Sequence, residues 1–168
     1  MPHSDPSANI HSMDEFEAMD RSVEVLIVDS NACNDPSITR LDVSSFKDLR
    51  VFTVGDNSFA YVGEVKLVEL DKLEGVVIGV NCFMKKHRYN EPKHFYLKSC
   101  EKVKELKIGC YSFSGCSVCE IENDDSLEMI EIGELSEVSR YCFQGIGFGD
   151  SNFYCGDCVI RSCCDGMN

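Results

Sequence analysis

The sequence predicts a repeat solenoid, predominantly parallel β-structure with short irregular or helical returns, in the α/β-superhelix class. Three observations predict it. One short pattern recurs as Val54-Gly-Asp-Asn-Ser-Phe59, Ile78-Gly-Val-Asn-Cys-Phe83 and Ile108-Gly-Cys-Tyr-Ser-Phe113, and again as Ile132-Gly with Tyr-Cys-Phe143 six residues late. The Ile/Val-Gly steps are 24, 30 and 24 residues apart. Six apolar positions keep register between those steps: Leu41, Val43, Phe46, Leu49, Phe52 and Val54 align with Val65, Leu67, Leu70, Leu73, Val76 and Ile78. Phe95, Leu97, Cys100, Val103, Leu106 and Ile108 continue them, as do Cys119, Ile121, Asp124, Leu127, Ile130 and Ile132, where only Asp124 is not apolar.

Residues 1–22 carry Asp5, Asp14, Glu15, Glu17 and Asp20 against Arg21 and show no repeat, so they are expected to be a disordered acidic tail, with Met13 to Met19 able to form a short amphipathic turn. Residues 23–164 are expected to form about five coils. A unit of about 24 residues cannot bury its own apolar face and must stack on its neighbours. Each has two short segments with alternating apolar residues, such as Val65-x-Leu67 and Val76-x-Ile78, which put two side chains inward on a strand that pairs in parallel one coil along. The glycine after Ile/Val is expected to permit a bend, and the following Phe to fill the interior. Val54, Phe59, Ile78, Phe83, Ile108, Phe113, Ile132 and Phe143 are thus the repeat core. Leu26-Ile-Val28 with Cys33 in the Phe place reads as a decayed first unit, and Cys158-Val-Ile160 starts a last one; residues 165–168 are a truncated end.

These Ile-Gly-x-x-Ser/Cys-Phe units resemble leucine-rich repeat proteins, specifically the BspA-like subclass. The resemblance spans roughly residues 23–164 and implies a scaffold for protein recognition rather than an enzyme; it also allows a cell-surface location. The short first unit, the insertions and the lack of a capping unit depart from that pattern. An uncapped C-terminal edge would permit self-association, or mark a truncated repeat fragment without independent activity.

The 168 residues include 29 acidic and 16 basic side chains, a net charge of −13, and eleven cysteines. Such a charge repels phosphate backbones, which argues against nucleic acid as partner. Apolar runs are too short to cross a bilayer, and the N-terminus has no pattern of a secretory signal, so a cytoplasmic, reduced protein is expected.

Cys116, Cys119, Cys155 and Cys158 form two Cys-x-x-Cys pairs that could close a four-thiolate zinc site or act in redox chemistry. The competing reading is packing, because Cys119 and Cys158 fall in the inward place of Val65 and Phe95, and Cys82 falls where Ser58 and Ser112 do. Packing is preferred, and no cofactor is expected. Gly145-Ile-Gly-Phe-Gly149 has no strand-to-helix context for a phosphate loop. The insertion after Phe83 carries Lys85, Lys86, His87, Arg88, Lys93 and His94, a basic stretch on an acidic chain. Insertions that spare a repeat framework project as loops and often carry recognition, so these six residues are the candidate binding site for an unknown protein partner. Nothing in the order of Ser, Cys, His and Asp suggests a nucleophilic machine, so no catalytic residue is expected.

Overall fold

The computed structural model describes residues 6–84, 93–109, 111–113, 118–132 and 157–161. In chain order the elements are β1 (Ser7–Ile10), α1 (Met13–Ala18), β2 (Val25–Val28), β3 (Arg40–Asp42), β4 (Val51–Val54), β5 (Glu64–Val68), β6 (Gly75–Ile78), β7 (His94–Lys98), β8 (Glu105–Ile108), β9 (Val118–Glu122), β10 (Met129–Ile132) and β11 (Asp157–Arg161). Successive strands fall alternately into two parallel sheets. The first has the order β1-β2-β4-β6-β8-β10 and the second β11-β9-β7-β5-β3.

The apolar alignment read from the sequence is the register of both sheets. Phe52 lies opposite Val76 and Val54 opposite Ile78 in the first sheet, while Val65 lies opposite Phe95 and Leu67 opposite Leu97 in the second. The 30-residue step leaves this intact, since Ile78 still faces Ile108. The decayed first unit pairs as expected, Leu26 with Phe52 and Val28 with Val54, and Cys158 sits opposite Cys119. Phe46, Phe52, Phe59, Phe83 and Phe95 are among the largest buried side chains. The Phe59, Phe83 and Phe113 rings stack in a column at centroid distances of 5.1 and 4.8 Å, so the aromatic that ends the first three patterns fills the interior, while Phe143 lies outside the described residues.

One expectation narrows and two change. Of the irregular or helical returns expected, the described ones are irregular turns, and among the described residues the one helix is α1, ahead of the repeat. Six residues separate β5 from β6 and nine separate β4 from β5, too few for two corners and a helix between them. The acidic N-terminal segment expected as a tail contains two elements, β1 and α1. β1 pairs with β2, matching Ile10 to Val28, and α1 follows with Ser12 as its N-cap. Phe16 of α1 is buried and tilts against Phe46 at 5.2 Å, and the Arg21 guanidinium lies over both rings. α1 falls within the Met13 to Met19 stretch expected to form a short amphipathic turn, and Ile10 and Phe16, spaced within an acidic stretch, supply the burial.

The repeated glycine is the third. Asn57 and Phe59, Asn81 and Phe83, and Tyr111 and Phe113 carry the positive φ of this first corner, as Asn31 and Cys33 do in the opening unit. The glycine is needed for close approach instead. A Cβ at Gly109 would lie 2.6 Å from the Gly79 backbone, and one at Gly55 would lie 2.5 Å from the Ser30 nitrogen. The second corner, after β5, β7 and β9, has one positive-φ residue each, Glu69, Ser99 and Asn123.

Candidate functional site

Inward residues being alternate, the residues between them form continuous rows on the outside of each sheet. On the first sheet the register places Val25, Val51 and Gly75 in one row and Ile27, Thr53 and Val77 in the next. All are half-buried except Val77, the one large hydrophobic residue among the described ones that is 36% exposed. Towards one edge the rows pass to Ser7 and Asn9 on β1; towards the other they pass to Glu105 and Lys107 on β8 and then to Met129 and Glu131 on β10. Acidic residues rim the patch, Glu24 and Glu74 before the strands and Asp29 and Asp56 after them, with Arg50 held to Glu74 at 3.3 Å.

The second sheet presents charge. Arg40 meets Glu64 at 2.6 Å, and Lys98 pairs with Glu120 in the next unit. The Lys98 ammonium, its proton held more tightly by Glu120, also lies 5.3 Å from the Tyr96 ring centre. Lys66 Nζ lies 6.0 Å from the same ring centre, and His94 Nδ1 is 2.7 Å from the Tyr96 hydroxyl. Because each of these cations already has a carboxylate or ring beside it, they leave little free charge for a ligand among the described residues of this face.

Of the six basic-stretch residues, Lys85, Lys86, His87 and Arg88 lie outside the described residues. Lys93 is only 4% exposed, and its carbonyl accepts from the Val118 N–H. His94 opens β7, and its N–H donates to the Gly63 carbonyl at 2.8 Å. These two are therefore framework residues at the foot of the insertion. Where the chain enters the insertion, Met84 joins Asn31, Asn34, Asn57, Ala60 and Asn81 around a shallow groove of about 430 Å³. Three of the groove's amides are engaged within the fold: Asn34 accepts from the Ala60 N–H at 2.8 Å, and Asn81 donates to Asn57 at 3.2 Å.

Cys33, Cys82, Cys100 and Cys119 are buried free thiols. Burial pushes Cys33 and Cys82 up to about 11 and Cys100 up to about 12, so they stay protonated and unreactive at neutral pH. Cys119 points inward as the packing reading expects, whereas Cys116, Cys155 and the Cys158 side chain lie outside what is described. No group of three metal-ligating side chains gathers among the described residues.

Ser58, Cys82, Ser112 and Cys100 reveal a shared role that the alignment alone does not express. Ser58 Oγ accepts from the Ala32 N–H at 3.2 Å and donates to the Asp29 carbonyl at 2.7 Å. Ser112 Oγ accepts from the Cys82 N–H at 2.9 Å and donates to the Gly79 carbonyl at 2.6 Å. Cys82 Sγ faces the Ser58 N–H and donates to the Gly55 carbonyl at 3.1 Å. Cys100 Sγ faces the Leu70 N–H and donates to the Leu67 carbonyl at 3.5 Å. Each side chain thus ties the N–H of its counterpart one unit back and the carbonyl three residues before that counterpart, satisfying buried backbone at a corner.

The outward rows were the residues that sequence reasoning missed. Their signal was present in three units, since the middle residue of the alternating segment is Ile27, Thr53 and Val77 on one sheet before it turns to Lys107 and Glu131, whereas on the other it is Asp42, Lys66, Tyr96 and Glu120. No described helix is long and apolar enough to cross a membrane. No family model, no curated protein and no solved structure matches the chain.

Proposed function

We propose that the chain is a solenoid of leucine-rich-repeat type, acting as a non-enzymatic scaffold that docks a protein partner on the outward face of the first sheet. The carrying observation is the pair of rows Val25, Val51 and Ile27, Thr53, Val77, side by side in register. Adjacent β-branched side chains on a rigid parallel sheet make a flat apolar surface whose burial favours association. The acidic rim and the net charge of −13 select a partner with an apolar centre and basic flanks.

Binding assays with the intact chain, with the double variant Ile27→Asp and Val77→Asp, and with residues 85–93 shortened to the gap of the other units test the reading. The double variant is expected to keep its circular dichroism and lose at least about tenfold in affinity, as desolvating two carboxylates in an apolar contact requires. The shortened chain is expected to bind as before. The opposite pattern would move recognition to Lys85, Lys86, His87 and Arg88. Zinc at one per chain under reducing conditions would favour a cysteine module instead.

A further inference from the structure

Asp124 stands in the second-corner column of Leu70 and Cys100 and is fully buried. One carboxyl oxygen, Oδ1, accepts from the Cys100 N–H at 2.9 Å, which is the first half of the bridge made by Ser58, Cys82, Ser112 and Cys100. The other oxygen, Oδ2, is buried without a hydrogen-bond partner. In the other four bridges the second bond runs from the side chain to the carbonyl three residues before the accepted N–H, which for Asp124 is that of Leu97. A carboxylate cannot make that bond, because it has no proton to donate and would set negative charge against a carbonyl oxygen. A neutral carboxylic acid can.

We propose that Asp124 is a neutral acid in the folded protein, its Oδ2–H donating to the Leu97 carbonyl, and that its ionisation loosens the junction between the units of β7 and β9. The surroundings agree. Burial, with the adjoining Asp125 carboxylate, pushes Asp124 up to about 7 against the pull of the Cys100 N–H. The titratable group facing it from the preceding unit is the Cys100 thiol, which is itself held neutral. Asp125 is on its own turn and exposed, and the side chains of the unit that follows, that of β11, lie outside the described residues.

The sign follows from linkage. The folded group holds its proton more tightly than the unfolded one, so its contribution to stability is complete below about pH 4 and is lost as the pH rises through about 7. Asp124→Asn keeps an acceptor for Cys100 and a donor for Leu97 at every pH. Two measurements on the full chain test the assignment. Carbon-13 carboxyl titration, with the Asp124 signal identified by its loss in Asp124→Asn, is expected to show a midpoint near 7; a midpoint below about 5 would overturn it. Urea midpoints are expected to be higher for Asp124→Asn than for the native chain at pH 8, with the difference vanishing towards pH 4. An equal or lower midpoint for the variant at pH 8 would overturn it.

Discussion

The two corners of each unit carry the same backbone task with different freedom. At the first corner a glycine presses on the preceding unit, two residues adopt positive φ, and a buried Phe fills the interior. Substitution there meets backbone, so the pattern repeats almost unchanged from Val54 to Phe113. At the second corner the single positive-φ residue is exposed or half-exposed and varies freely as Glu69, Ser99 and Asn123. The fully buried residue beside it drifts from Leu70, which makes no bridge, to Cys100 to Asp124. Repetition is strict where backbone meets backbone and looser where side chains set the corner.

The largest way to break the contrast is Phe83→Ala, which removes the middle ring of the stacked column. A loss of about 3–5 kcal/mol is expected in urea unfolding, because the cavity sits between two units that cannot collapse independently. Next comes a pair of glycines. Gly109→Ala should cost about 1–3 kcal/mol, since the backbone of Gly79 must move aside, whereas Gly75→Ala, with nothing within 4 Å, should be neutral or gain up to about 1 kcal/mol. Equal effects of the two would sink the close-approach account.

Ser112→Ala strands the Cys82 N–H and the Gly79 carbonyl, for an expected loss of about 1–3 kcal/mol. Ser112→Cys should recover most of it, as Cys82 performs the same bridge one unit earlier. The smallest effect is expected at the second corner. Glu69→Gly relieves a left-handed backbone and should raise stability by up to about 1 kcal/mol, while Asn57→Gly should change little because Asn tolerates that conformation. A rise at Asn57 exceeding that at Glu69 would reverse the comparison.

Much of the fold was legible because inward side chains alternate and the alternation recurs at steps of 24 to 30 residues. Leu26, Phe52, Val76 and Leu106 name their own partners once aligned. The β1 segment was not legible, since Ser7 to Ile10 offers one buried side chain and gains its place only by pairing with β2. The candidate site was legible in part. The insertion announces itself as a break in the period, but the apolar rows consist of residues about 24 apart that no local window compares. Lys93 and His94 look like loop charge in the sequence and are framework in the fold, because burial depends on the neighbouring strands β5 and β9.

By itself the sequence determined the repeat length, the inward residues, the strand register and the place of the insertion, all consequences of side-chain alternation along a short segment. Only the tertiary structure decided which outward rows join into an apolar face, why the glycine is needed, and what Asp124 must be. Those depend on contacts between units about 24 residues apart, where a backbone carbonyl or N–H, invisible in any residue's identity, chooses its partner.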